Sequence, residues 1–168
     1  MNFPILSSLI LLPIIGALFL FFTKDKDGNN LTAKYVSLFT TIVNFLISIY
    51  LWILFDQSTS SFQFIEDREW INGFINYKVG VDGISILFII LTTFITPLCI
   101  ISVNNTIKVR LRDFLIAILI MESFMIGVFC ALDLVVFYLF FESGLIPMFL
   151  IIGIWGGPKR VYSAFKFF

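Results

Sequence analysis

Two glutamates stand in the middle of apolar stretches long enough to cross a bilayer: Glu142 within Leu134 to Ile154, and Glu122 within Phe114 to Leu132. The only other ionisable group in the first stretch is Tyr138. A carboxylate at that depth costs about 2.5 to 3.5 kcal/mol on insertion scales, so its presence points to a use. Burial raises a carboxyl pKa and a nearby ammonium lowers it, so a buried acid whose partner moves can take up and release a proton near neutral pH. The chemistry these residues fit is therefore a proton relay. The plainer reading is a permanently protonated glutamate that makes one interhelical hydrogen bond and serves packing.

Asp133 marks a tight turn between the two stretches. Glu122 lies 11 residues before it and Glu142 lies 9 after it. At about 1.5 Å per residue both acids fall roughly 14 to 16 Å from one boundary, near the midplane of a core about 30 Å thick. Spacing alone leaves open whether they face each other. No lysine or arginine occurs between Asp113 and Pro158, so neither acid has a cation within its own hairpin. A charged Glu142 needs a cation from another helix or chain, or water in a polar cavity. Pro147, five residues on, cannot donate to the carbonyl of Ser143, which leaves either an approach for water beside Gly144 or an ordinary packing kink.

The elements that must position these acids follow from composition. The chain has 168 residues, 60% hydrophobic and 18% aromatic, with a mean hydropathy of +1.04. Those values belong to polytopic membrane proteins, not soluble domains. Five stretches have spanning length: Phe3 to Phe22, Tyr35 to Phe55, Val79 to Val103, Phe114 to Leu132 and Leu134 to Ile154. The first lacks the basic start and small-residue cleavage site of a secretion signal and is expected to be a true span. The connections alternate in charge. Lys24, Lys26 and Lys34, then Lys108, Arg110 and Arg112, then Lys159, Arg160 and Lys166 mark one side, while the acidic loop at 56–78 and Asp133 mark the other. The positive-inside rule places the basic side in the cytoplasm or matrix and the N-terminus outside. Glycosylation at Asn30 or Asn104 would fall on the wrong side. The outer loop, with Phe62, Phe64, Trp70, Phe74 and Tyr77 among its charges, is expected to lie at the headgroup boundary or to pack on a neighbouring subunit. Asp82 is expected to cap the third span, and Pro97 to bend it.

Several functions are disfavoured. There is no histidine, the commonest general base and metal ligand. Cys99 and Cys130 sit in separate spans without metal-ligand spacing, and are read as packing residues. The net charge is zero, from 11 acidic and 11 basic residues, so nucleic acid is not indicated.

The run from Ala131 to Gly157, ALDLVVFYLFFESGLIPMFLIIGIWGG, resembles the fourth-to-fifth helix region of the subunit 4 family of respiratory complex I, the proton-pumping NADH:quinone oxidoreductase. Gly80-Val-Asp-Gly-Ile-Ser85, Leu91-Thr-Thr-Phe-Ile-Thr-Pro97, Phe62-Gln-Phe-Ile-Glu66 and Lys166-Phe-Phe168 extend the resemblance over most of the chain. It implies an all-α integral membrane fold of about five spanning helices, part of a larger antiporter-like bundle. Residues 1–113 would hold helices 1 to 3 with the acidic outer loop at 56–78, and 114–168 would open the proton-channel domain. In that family the glutamate matching Glu142 is the key acid of the proton channel, and the acid matching Glu122 lies in the neighbouring helix. The channel also uses lysines in later helices. The resemblance covers only the first third of such a subunit, so a continuation or a second polypeptide would supply the remaining helices and the lysine partner.

The expected function is thus proton translocation coupled to electron transfer from NADH to quinone, with Glu142 and Glu122 as relay groups. The chain itself is expected to carry no redox centre or metal; NADH, flavin, iron–sulfur clusters and quinone would belong to partner subunits. Other complex I membrane subunits and the lipid bilayer are the expected partners. The mitochondrial inner membrane is the expected location, with a bacterial plasma membrane as the alternative. A multisubunit sodium/proton antiporter and a purely structural membrane subunit are the competing readings.

Overall fold

A computed structural model of the chain describes residues 4–22, 31–71, 75–103, 107 and 109–167. Lys24, Lys26, Asn30, Phe74, Asn104 and Lys108, singled out above, lie outside the described residues. The described elements are α1 (Ile5–Phe22), α2 (Leu31–Leu54), β1 (Gln63–Ile71), β2 (Ile75–Val81), α3 (Ser85–Ser102), α4 (Leu111–Cys130), α5 (Leu134–Trp155) and α6 (Arg160–Phe167). The first five helices are each long and apolar enough to cross a membrane.

The loop expected at the headgroup boundary or against a neighbouring subunit folds as an antiparallel hairpin. Glu66 pairs with Val79 and Arg68 with Tyr77, and the register shifts on either side of the Glu66–Glu69 stretch. Its second strand continues into the helical frame, because Val79 bridges Ala131 and the Leu132 N–H donates to the Lys78 carbonyl at 2.9 Å. Val79 and Val81 are fully buried there. This pairing is why the third span begins at Ser85 and not at Val79.

Both acid-led helix starts take the capping geometry. Asp82 Oδ1 accepts the Ser85 N–H at 2.7 Å, and its carbonyl accepts the Ile86 N–H at 3.1 Å. Asp133 Oδ1 accepts the Val135 N–H at 2.8 Å and the Val136 N–H at 3.2 Å. These bonds serve donors that have no partner inside a helix. A third helix start is capped at long range. Glu66 of β1 takes the Leu6 N–H at 2.9 Å and the Ser7 N–H at 3.3 Å, and the Ser7 hydroxyl donates to its other oxygen. A carboxylate at the positive end of α1 fixes the hairpin to the bundle.

Two apolar clusters close the bundle at its two ends. At the hairpin end Leu6, Leu9, Leu51, Val81, Ile89 and Ile126 pack together. At the opposite end Ala17, Leu20, Ile100, Phe114, Leu115 and Leu119 do so. Between them lies a buried polar layer from three helices: Ser37, Thr41, Asn44 and Ser48 of α2, Thr93 of α3, and Glu122 and Ser123 of α4. The α2 members recur at three- and four-residue intervals, so they form one stripe along that helix. Within a bilayer core, buried polar groups are served chiefly by one another and by the backbone. The Ser48 and Thr93 hydroxyls are 2.7 Å apart, and Ser123 Oγ donates to the Ile10 carbonyl at 2.6 Å.

Helices approach closely where side chains are small. A methyl group at Gly127 would lie 2.6 Å from the Phe140 ring, and one at Gly16 would lie 2.7 Å from Thr40. These glycines set the spacing between α4 and α5 and between α1 and α2.

Candidate functional site

Glu122 sits in the polar layer with 2% of its surface exposed. Asn44 Nδ2 donates to its Oε1 at 2.9 Å, across 78 residues of sequence. The other two atoms of this pair, Glu122 Oε2 and Asn44 Oδ1, are buried without a hydrogen-bond partner. Glu122 also lines a cavity of about 300 Å³ between α3 and α4, together with Thr92, Thr96, Cys99, Met121 and Met125. The acid therefore has an amide on one side and a cavity on the other.

Glu142 lies in a different setting. It is half-buried on α5, whose buried side chains are only Val136 and Pro147. Tyr138 lies one turn earlier on the same helix. Its neighbour Ser143 lines a second cavity of about 620 Å³, which reaches Ser7, Arg68, Glu69 and Tyr77 at the hairpin end. Pro147 stays within the helix, which runs on to Trp155.

The two acids do not face each other. Phe124 and Gly127 are the α4 residues that meet Phe140 of α5. At about 100° per residue they lie roughly 140° to 200° round the helix from Glu122. Glu122 thus points toward α2 and α3, on the side of α4 away from Glu142. Among the described residues neither acid forms an ion pair; the ion pairs are Lys78 with Asp67 and Arg112 with Asp113.

Outside the spans, hydrogen bonding and burial set the acid–base state of the hairpin end. The Ser85 N–H holds the Asp82 carboxyl below its ordinary range. Burial pushes the Tyr77 phenol up, partly offset by its bond to Ser7. Sequence reasoning found Glu122 and Glu142 but missed Asn44 and the Glu66–Ser7 contact. The polar stripe on α2 carried a signal for the first. The second joins strand to helix over 59 residues and had no local mark.

The comparisons with known proteins follow this geometry. The family described as NADH:quinone oxidoreductase/Mrp antiporter, TM matches residues 131–168. NADH-quinone oxidoreductase subunit M of Rhodobacter capsulatus is 53% identical over 98% of this chain. The chain is thus similar, along nearly its whole length, to part of subunit M of NADH-quinone oxidoreductase. NADH-ubiquinone oxidoreductase chain 4 of Marchantia polymorpha is 44% identical over 97% of it. A chain of respiratory complex I from Thermus thermophilus, solved with bound NADH, superposes with a TM-score of 0.77 at 25% identity, over 96% of this chain and 31% of that one. The chain spans about a third of the length of these relatives.

Proposed function

We propose that this chain takes part in proton translocation within the membrane arm of an NADH:quinone oxidoreductase, with Glu142 and Glu122 as ionisable relay groups. The observation that carries the reading is a pair of carboxylates on consecutive membrane-length helices, in a chain 53% identical to subunit M. Residues 114–168 form the start of the channel domain in this reading, and residues 1–113 brace it. The cation that balances Glu142 comes from helices outside this chain, as do NADH, flavin, iron–sulfur and quinone chemistry. Its partners are the other membrane subunits of the complex, and the lysine helices belong to a continuation of the chain or to a second polypeptide. The mitochondrial inner membrane is the favoured location. A bacterial plasma membrane suits the same chemistry, since relatives from both settings are similar.

The family description also covers Mrp antiporters, which makes a sodium/proton antiporter subunit the competing reading. The relatives named as NADH oxidoreductase subunits favour the first. Gentle solubilisation of native membranes and capture of this chain decides between them. NADH-reducible flavin and iron–sulfur signals in the captured complex support the proposal. Their absence from a complex that exchanges sodium for protons refutes it.

A further inference from the structure

The two unpartnered atoms of the Glu122–Asn44 pair are chemically complementary. A protonated carboxyl offers one O–H donor, and a carboxamide oxygen accepts. With the proton on Oε2, a bond to Asn44 Oδ1 joins the existing Nδ2 to Oε1 bond in a closed acid–amide ring. One proton then satisfies both orphaned atoms. An ionised carboxylate has no donor for Oδ1 and would face it oxygen to oxygen. The pairing is therefore selective for the protonated form, in a layer where an unmade hydrogen bond is expensive.

On its other side Glu122 lines the α3–α4 cavity of about 300 Å³, which is walled mainly by apolar side chains, Phe88, Leu91, Ile95 and Phe129 among them, with the Thr92 and Thr96 hydroxyls as the polar partners for a water beside the acid. We propose that Asn44 is the positioning residue of Glu122, closing this ring on the protonated acid and yielding it to the cavity when the proton leaves. This rests on reading Glu122 as a relay group. In the transfer the Oε2–H bond breaks, the proton passes to a cavity water, and the carboxylate is left solvated from that side. Uptake is the reverse. Of the elements packed against α4, α2 supplies Asn44 and α3 supplies Cys99, the other titratable group lining the cavity. Glu142 of α5 lies on the opposite side of α4, and Glu66 of β1 is held at the N-terminus of α1.

The test is infrared difference spectroscopy on membranes holding the chain in its native assembly, with proton translocation measured in parallel. Glu122→Gln assigns the acid by deleting its protonated-carboxyl band. Asn44→Leu, of similar volume, should move that band to higher frequency and slow translocation about tenfold, with unchanged amounts of assembled complex. Asn44→Gln keeps the amide and should restore most of the rate. A band that Asn44→Leu leaves in place overturns the proposal, as does the lack of any band deleted by Glu122→Gln. A shifted band with normal translocation upholds the ring and refutes the relay role of Glu122. If Asn44→Leu prevents assembly, the band position in Asn44→Gln decides in the same way.

Discussion

Gly127→Ala tests how closely α4 and α5 pack. The added methyl would lie 2.6 Å from both Cγ and Cδ1 of Phe140 and 2.8 Å from its Cδ2. Those are atoms of a rigid ring held between helices, not the end of a flexible chain. Relief requires Phe140 to leave its contact with Phe124, where the centroids are 6.4 Å apart, or the helices to separate. Overpacking of this kind costs about 1 to 3 kcal/mol, against a helix-propensity gain of about 1 kcal/mol for replacing glycine by alanine. The expected net loss is about 0 to 2 kcal/mol, with the larger part wherever the ring cannot turn. Gly144→Ala is the internal control, because its methyl would meet only Phe124 Cβ at 3.8 Å, an ordinary contact. The assay is the detergent-denaturation midpoint of the assembled complex for both variants. Gly127→Ala should be the less stable, and Phe140→Leu in the same chain should recover the difference. Equal midpoints for the two alanine variants would show that the α4–α5 approach is wrong.

The remaining predictions concern the hairpin end and its caps. Glu66→Ala removes a carboxylate that accepts two backbone N–H groups at the start of α1. It should lower stability by about 1.5 to 3 kcal/mol and expose the hairpin to protease, read as cleavage near residues 63–81. Asp82→Ala removes the cap of α3 and should cost about 1 kcal/mol in the same denaturation assay. Because the Ser85 N–H depresses the Asp82 pKa, the charge-dependent part of that stability is complete above about pH 3.9. It is lost as the pH falls through the lower folded value. Asp82→Asn should therefore flatten the acid limb of the stability profile, by a small amount because solvent screens the group.

Much of the frame was legible because apolar length dominates it. The first, second, fourth and fifth helices begin and end within a few residues of the expected spans. Asp82 declared its capping role by preceding an apolar run, and Asp133 its place in the turn between two of them. The hairpin was not legible. Its alternation is broken by charges at Glu66, Asp67, Arg68 and Glu69, and it is anchored by Glu66 meeting α1 and Val79 meeting Ala131, contacts that no local pattern records. The candidate site divides the same way. An acid in an apolar run announces itself within one helix, so Glu122 and Glu142 could be named and their depths matched. Which way each acid turns depends on the packing of α4 between α2 and α5. Only the structure reveals that Glu122 faces Asn44 while Glu142 faces the opposite side.

We propose that the Glu142 carboxylate moves protons for a redox-driven pump. The most direct measurement is the number of protons translocated per NADH oxidised in sealed membranes carrying Glu142→Gln, with the assembled complex quantified alongside. Abolished or sharply reduced pumping, with assembly intact, is the predicted result. Unchanged proton stoichiometry in that variant would contradict the account.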